Sequence, residues 1–189
     1  MKLECPGITG DGDIYLKVLK VICGDTGGKY MADLMCHRAP YTPLLGFKDR
    51  LYVDVQDRGL DHKGEQRYFI KSDIWEFLVD NSDLRCDVMI CSDGIEHLRK
   101  QAGFDLLFTM KLMSKKQIIF TPLGEYMISD DDNPDSHRSG WMPDDFPDWA
   151  TIVFPDFHPT LNTGAFFAFH CENIEQDFER VKNEINELG

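Results

Sequence analysis

The sequence predicts a doubly wound α/β fold, with helices on both faces of a mostly parallel sheet. Along the 189 residues, short apolar segments rich in β-branched residues alternate with segments whose apolar residues recur at helical spacing. Most predicted strands end in polar residues, as strands of such sheets do where ligands bind. The last two strands have no helix-length segment between them, so we expect them to pair antiparallel.

The predicted elements follow one another without a linker or an internal repeat, so we expect a single domain over residues 1–189. Residues 1–13 contain Pro6 and three glycines, which predict an irregular arm. Seven strands are predicted, at residues 14–23, 51–55, 67–71, 87–91, 117–121, 151–154 and 165–170. Helices are predicted at residues 29–38, 74–79, 98–113 and 173–188.

Charge and apolar content exclude several classes of protein. The formal net charge of −13 argues against a large nucleic acid as partner, because such binding depends on neutralising phosphates. The sequence contains no apolar run of the roughly 18 residues that a membrane span needs, and its amino terminus lacks the apolar core of a secretion signal. We therefore expect a cytoplasmic protein without membrane contact, whose six cysteines are free thiols. No feature predicts its oligomeric state.

Residues 86–98 are the most informative about function. The apolar strand predicted at residues 87–91 ends in Ser92 and Asp93, and a helical pattern begins soon afterwards. Ligands of open α/β sheets bind at the carboxyl ends of the strands. Ser92 and Asp93 are therefore candidate site residues.

Three further polar features follow other predicted strands. A turn at residues 24–28 contains three glycines, which let a backbone turn tightly and approach a ligand. Asp54 ends the second strand, where a carboxylate can accept hydrogen bonds from both hydroxyls of a ribose. Asp73 ends the third strand. Each also has an ordinary interpretation: the glycine turn as a strand-to-helix turn, Asp54 as a surface residue and Asp73 as a helix cap. Their occurrence at successive strand ends nevertheless favours one shared ligand site.

Together with three local motifs, these features resemble class I S-adenosylmethionine (SAM) dependent methyltransferases of the small-molecule type, over residues 17–171. Asp93 and residues 95–98 are similar to that family's fourth motif, an Asp followed by Ile-Glu-His-Leu. Residues 118–125 resemble its fifth strand and Thr-Pro-x-Gly exit, and residues 137–141 resemble its His-x-Ser-x-Trp loop. The resemblance implies a Rossmann-like, seven-stranded, mostly parallel sheet with an antiparallel last strand.

The resemblance also assigns residues to the cofactor. The cofactor-binding residues that it implies are Gly24, Asp25, Gly27, Asp54, Asp73, Ile74 and Ser92. Among them Asp25 would hold the amino group of SAM, Asp54 the ribose, and Asp73 the amino group of the adenine. Members of the family usually carry an acidic residue in the first strand, followed by Gly-x-Gly. In the predicted first strand, the places of that acid and of the first glycine fall on Lys20 and Ile22.

Asp93, His97 and His137 are the candidate catalytic residues. Either histidine can act as a general base that takes the acceptor's proton during methyl transfer. The string Asp93-x-x-Glu96-His97 also resembles the Glu-x-x-Glu-His metal cluster of ubiquinone-pathway O-methyltransferases and small-RNA 2′-O-methyltransferases, with His137 as a fourth ligand. The favoured interpretation is free of metal: Glu96 bonds to backbone, and His97 lines the pocket.

We therefore expect an enzyme that moves a methyl group from SAM to a small molecule, with residues 123–141 as a cover for the substrate. The main alternative is a methyltransferase-like binding or regulatory protein without catalysis. A nicotinamide-dependent oxidoreductase is less favoured, because the glycine turn is not Gly-x-Gly-x-x-Gly and the last strand is reversed.

Overall fold

The computed structural model describes residues 1–10, 12–24, 28–60, 67–124, 133, 135–158 and 163–188. Within them lie eight strands: β1 (Lys2–Glu4), β2 (Tyr30–Leu34), β3 (Asp49–Asp54), β4 (Arg67–Lys71), β5 (Cys86–Ser92), β6 (Ser114–Pro122), β7 (Ala150–His158) and β8 (Thr163–Cys171). The α-helices are α1 (Gly12–Cys23), α2 (Ile74–Asp80), α3 (Lys100–Met113) and α4 (Ile174–Asn186). None of the described helices is long and apolar enough to cross a membrane.

The strands form one sheet in the order β1-β7-β8-β6-β5-β2-β3-β4. β8 runs antiparallel to its neighbours β6 and β7, and the other pairs are parallel. The predicted fold class is therefore confirmed. The chain leaves β2 toward β3 on one side and returns to β5 on the other. Strand order thus reverses at β2 and β5, and in such sheets the crevice at this reversal is where ligands bind.

The sheet has eight strands where seven were predicted, and residues 2–4 of the predicted irregular arm form the additional strand, β1. β1 pairs parallel with β7, and the chain after it continues along the same edge. Cys5 N donates to the Val153 carbonyl at 2.8 Å, and Gly10 N donates to the Phe157 carbonyl at 2.7 Å. Glycine and proline in this segment fit a short strand at an edge, where few residues pair.

The first predicted strand is wrong: residues 14–23 belong to helix α1. The buried residues of this segment recur at spacings of three and four, which place them on one helical face. They are Tyr15, Val18, Leu19, Ile22 and Cys23. A short apolar run fits the period of a helix and that of a strand equally well, so the β-branched residues of this segment favoured a strand in the prediction.

The helix predicted at residues 29–38 is also wrong, because this segment contains β2 and the loop after it. Met31, Ala32 and Leu34 have no exposed surface. A central strand of a parallel sheet is covered on both faces, so its buried residues are contiguous and do not alternate. Met, Ala and Leu also favour helices intrinsically, and burial between two layers overrides that preference. The remaining predicted strands and helices are confirmed, with changes only at their ends.

Two apolar layers cover the faces of the sheet. On one face, Leu19 of α1 and Val181 of α4 are buried against the strands. On the other face, Leu106 and Met110 of α3 are buried in the same way. The layers fix β2 and β5 in the middle of the sheet, so the loops after these strands have a rigid base.

Candidate active site

A cleft lies at the carboxyl ends of β2, β3, β4 and β5 and consists of two adjoining cavities. The first, of about 300 Å³, is lined by residues that include Asp54, Asp73 and Ile74. The second, of about 440 Å³, is lined by residues that include Tyr15, Asp33, Tyr41, Ser92 and His137. Both cavities share His37, Asp93, His97 and Asp135. The sheet therefore brings most of the predicted site residues to one place.

Gly24 and Gly28, the described residues of the glycine turn, do not line this cleft. Gly24 follows α1 and precedes β2, so it lies at the amino end of the sheet rather than at the carboxyl end. Its N–H donates to the Lys20 carbonyl at 2.9 Å, and an added Cβ would meet Arg180 of α4. The structure thus places Gly24 away from the cleft, in which the resemblance had put it. Asp25 and Gly27 lie outside the described residues.

The loop after β2 takes the place that was predicted for the glycine turn. Met35, His37 and Ala39 have φ angles of 55°, 49° and 47°. These angles lie in the left-handed region, where a non-glycine residue costs about 1 kcal/mol. The acidic residue of the strand is Asp33, so the pattern of an acid followed by Gly-x-Gly falls on Asp33, Met35 and His37. The backbone here has the conformation of glycine although no glycine is present, and the sequence therefore gave no sign of it.

Asp33 is a buried carboxyl group that faces the second cavity and is 2% exposed. The Thr42 hydroxyl donates to its Oδ2. Its Oδ1 has no hydrogen-bond partner among the described residues. Burial raises the pKa of Asp33 to about 7. Because buried polar atoms are nearly always hydrogen-bonded, this oxygen marks a place where a ligand can supply a donor.

Asp54 and Asp73 lie where the sequence predicted them, at the ends of β3 and β4. Asp54 Oδ2 accepts from His37 N at 2.8 Å, and its Oδ1 accepts from Gln56 N at 2.9 Å. Asp73 Oδ1 accepts from Trp75 N at 2.8 Å and so caps helix α2. Both carboxylates line the first cavity, so each holds a loop in place and also faces the ligand space.

The end of β5 lies between the two cavities. Ser92 Oγ is 2.6 Å from the hydroxyl of Tyr15 on α1, and the two share a hydrogen bond. Asp93 follows with a φ of 46°, and its side chain is open to the cleft. Protein nevertheless surrounds the carboxyl group on most sides, and this desolvation raises the pKa of Asp93. Tyr15 is a site residue that the sequence analysis missed, because residues 14–23 were interpreted as a strand.

A cluster of potential metal ligands lies beside Asp93. The ligand atoms of Glu96, His97 and His137 are all within 4.8 Å of one another. Glu96 is 2% exposed, and burial, followed by the charge of Asp93, raises its pKa. The Thr121 hydroxyl donates to Glu96 Oε2 at 3.0 Å. Asp93 is not part of this cluster, so three of the four predicted ligands come together.

Two contacts fix the orientation of His97 and its partner histidine. His97 Nδ1 lies 3.2 Å from the Ser136 carbonyl, which can only accept, so Nδ1 carries the proton. Nε2 of a neutral His97 then has the free lone pair. The ring of His137 lies edge-on, with the two ring centres 5.0 Å apart. Neighbouring backbone holds this arrangement, since the N–H groups of Arg138 and Ser139 donate to the Glu96 carbonyl at 2.7 and 3.1 Å.

Trp141 anchors the segment that carries His137. Its side chain is fully buried, and its Nε1 donates to Ser139 Oγ at 2.9 Å. A Cβ on Gly103 of α3 would lie 2.3 Å from the Trp141 ring. Glycine at position 103 therefore lets the ring pack directly on the helix. Residues 125–132 and 134 of the predicted substrate cover lie outside the described residues.

Several solved structures share this fold. They include the methyltransferase domain of bacterial CtHen1, at 15% identity and a TM-score of 0.52 over 82% of this chain and 96% of that one. The N-methyltransferase NodS from Bradyrhizobium japonicum WM9 is 10% identical, with a TM-score of 0.61 over 83% and 93%. A SAM-dependent methyltransferase from Archaeoglobus fulgidus is 16% identical, with a TM-score of 0.59 over 85% and 95%.

At these identities the likeness concerns the fold. The chain has the class I methyltransferase fold, with β1 as an additional strand at one edge. No family model matches the sequence, and no curated protein matches it.

Proposed function

We propose that this chain transfers a methyl group from SAM to a small-molecule acceptor. The observation that carries the proposal is the meeting of Asp33, Asp54 and Asp73 in one cleft, at the ends of three neighbouring strands. These carboxylates are arranged from the second cavity to the first in the order in which SAM presents its ammonium group, ribose and adenine. The class I methyltransferase fold of the chain supports the same assignment.

The first cavity fits an adenosine group. Ile74 is 6% exposed and offers an apolar surface to a planar ring, while Asp73 lies beside it at the start of α2. Each oxygen of Asp54 accepts one backbone N–H. A carboxylate has about four lone-pair positions, so Asp54 can also accept from both hydroxyls of a ribose. We assign the adenine to Asp73 and Ile74 and the ribose to Asp54.

The second cavity fits the amino acid part of SAM. Asp33 Oδ1 is buried and has no donor among the described residues, although it faces the cavity. An ammonium group placed there supplies hydrogen bonds and a positive charge, both of which favour the ionised carboxylate. Asp33 therefore replaces Asp25 as the residue that we assign to the amino group.

Methyl transfer takes place between Ser92 and the two histidines in this proposal. SAM supplies a methyl group on a sulfonium, so the acceptor's lone pair forms a bond to carbon while the electrons of the carbon–sulfur bond pass to sulfur. Ser92, held by Tyr15, and Asp93 align the acceptor, and alignment supplies much of the rate of such a displacement. His97 Nε2 or His137 takes the proton that the acceptor loses.

The size and charge of the cleft support a small acceptor. The second cavity extends from Asp33 to Ser92 and His137, and its volume of about 440 Å³ lies within the usual range for small-molecule sites. The chain's net charge of −13 opposes a polyphosphate backbone. Methyl-tritiated SAM, incubated with the protein and a cell extract, tests the proposal. Label in the small-molecule fraction is expected, and label confined to RNA or protein would contradict it.

The alternative of a binding protein without catalysis is supported by Met35 and His37. Both side chains line the first cavity, at places where the family pattern has glycine. The same labelling experiment separates the two functions. A protein that binds S-adenosylhomocysteine but transfers no label to any fraction would favour the binding function.

A second candidate is a methyltransferase that uses a divalent cation, favoured by the convergence of Glu96, His97 and His137. The donor set fits, because one carboxylate and two imidazoles suit several divalent metals. When bound, a cation would polarise an acceptor hydroxyl and lower its pKa. Calorimetry with Mn²⁺ tests this candidate: binding that His137→Ala weakens at least tenfold is expected, and no heat of binding to the unaltered protein would contradict it.

A further inference from the structure

A bridge of three hydrogen-bonded side chains crosses the cleft where the two cavities meet. Arg58 Nη2 donates to Oδ1 and Oδ2 of Asp135, at 2.6 and 2.8 Å. Arg58 Nη1 lies 3.0 Å from His37 Nε2, which must accept because a guanidinium can only donate. Arg58 follows β3, His37 follows β2, and Asp135 precedes β7. The bridge therefore joins three loops over the ligand space.

The cationic side of the bridge is held more firmly than the anionic side. The Arg58 side chain is 23% exposed and lines the first cavity, whereas the Asp135 side chain is 51% exposed. His37 is fixed by its own N–H, which donates to Asp54 Oδ2 at 2.8 Å. The Asp135 carboxylate is therefore the partner that can leave at the smaller cost.

Arg58 also has a donor that the bridge does not use. Its Nε is buried and has no hydrogen-bond partner among the described residues. A planar guanidinium binds a carboxylate best through two parallel N–H groups. In the bridge, both carboxylate oxygens of Asp135 lie on the same nitrogen, Nη2, so this paired geometry is not reached.

We propose that Arg58, supported by His37, is a carboxylate-binding subsite of the cleft, and that Asp135 occupies it until a carboxylate of the ligand replaces it. Arg58 lines the first cavity and Asp33 the second, so a ligand that spans their junction can place a carboxylate on Arg58 and an ammonium group on Asp33. The identity of the ligand that supplies this carboxylate rests on the proposed function. It belongs either to the amino acid part of SAM or to the acceptor.

Calorimetry with two probes tests the subsite. S-adenosylhomocysteine carries the α-carboxylate, whereas methylthioadenosine lacks the whole amino acid part. Asp135→Asn removes the competing charge and is expected to raise the affinity for S-adenosylhomocysteine roughly three- to tenfold, because more of the protein is then competent to bind. Arg58→Gln should lower this affinity by about tenfold or more. The affinity for methylthioadenosine should change little in both variants. Asp144→Asn, which alters an exposed carboxylate outside the cleft, is the control for net charge.

A second measurement covers a carboxylate from the acceptor. The Nε–H resonance of Arg58 is followed by NMR while acetate is added to the Asp135→Asn variant, with and without S-adenosylhomocysteine. If acetate still shifts the Arg58 resonance when the variant is saturated with S-adenosylhomocysteine, the subsite belongs to the acceptor. Tightening of S-adenosylhomocysteine, together with loss of the acetate shift on saturation, assigns it to the cofactor. If the affinity stays unchanged and acetate causes no shift, the subsite is contradicted.

The same design separates failure of the subsite from failure of the proposed function. Absence of S-adenosylhomocysteine binding in every variant would contradict the function, while the acetate titration without it still tests Arg58. Thermal unfolding of each variant verifies that the fold is retained.

Discussion

The hydroxyl of Tyr15 on α1 lies 2.6 Å from the hydroxyl of Ser92 at the end of β5. This contact ties helix α1, which lies between β1 and β2 in the chain, to the point where we place methyl transfer. Tyr15 is buried, and burial is the main reason that its pKa is raised, so the phenol stays protonated and can donate. The pair links the stability of α1 to the geometry of the cleft.

Removing the Tyr15 hydroxyl should therefore affect both properties. We expect Tyr15→Phe to lower the free energy of unfolding by about 1 kcal/mol, because Ser92 Oγ loses its partner. It should also lower the affinity for SAM by roughly threefold, because one hydrogen bond that orients Ser92 is lost. Chemical denaturation and calorimetry measure the two effects. The double variant with Ser92→Ala should lose little more than the single one, and fully additive losses would show that the hydroxyls are not coupled.

The buried Asp33 predicts a pH dependence of stability without ligand. Its pKa is raised from 3.8 to about 7, so the folded state keeps a proton that the unfolded chain has already lost in that window. The stability that this group contributes is present below the lower value and is lost as pH rises through the higher one. Asp33→Asn should therefore become more stable relative to the unaltered protein by roughly 2–4 kcal/mol between pH 4 and pH 8. Urea unfolding at both pH values measures the difference. A difference that does not change with pH would contradict the assignment.

Ala39 allows a test of the left-handed loop, because its side chain is only a methyl group. With a φ of 47°, it sits in a conformation that glycine adopts without strain. We expect Ala39→Gly to raise the free energy of unfolding by about 0.5 kcal/mol, since relief of strain exceeds the entropy gained by the unfolded chain. The matched control, Ala102→Gly in helix α3, should lower it by about 1 kcal/mol. An equal decrease in the free energy of unfolding of both variants would argue against strain in the loop.

Gly103 tests how the His137 segment is anchored. A Cβ at this position would lie 2.3 Å from the Trp141 ring, which is fully buried. Gly103→Ala should therefore cost roughly 1–3 kcal/mol, as overpacking of a core does. It should also displace His137, seen as a change in its imidazole NMR signals. Gly46→Ala is the control, because nothing lies within 4 Å of its added Cβ. Equal stability of the two variants would contradict this role of Trp141.

From residue 49 onward, the sequence was sufficient to predict the sheet, because its strands and helices follow the ordinary periods. Asp54, Asp73, Ser92 and Asp93 were placed in the cleft correctly, since the carboxyl ends of parallel strands meet at one edge. Before residue 49, the first strand of the family pattern was predicted at residues 14–23, one element too early, because the structure has helix α1 there and strand β2 after it. Apolar residues of α1 include β-branched ones, and β2 consists of helix-favouring residues buried on both faces, so local preference and tertiary packing disagree.

That shift explains which site residues were missed. Asp33 was overlooked because Met35 and His37 stand where glycines usually follow such an acid. Only their φ angles of 55° and 49° reveal the left-handed conformation of this loop. The contact of Arg58 with Asp135 joins residues 77 positions apart and has no local pattern. Packing, rather than sequence period, determines both features.

Calorimetry with S-adenosylhomocysteine is the most direct test of a SAM site in the cleft. We expect S-adenosylhomocysteine to bind to the unaltered protein and NAD not to bind under the same conditions. Asp54→Ala should weaken the affinity by roughly 1–3 kcal/mol, the value of hydrogen bonds to a charged group, while Asp144→Ala leaves it unchanged. If neither S-adenosylhomocysteine nor SAM binds at millimolar concentration, the proposed cofactor site is contradicted.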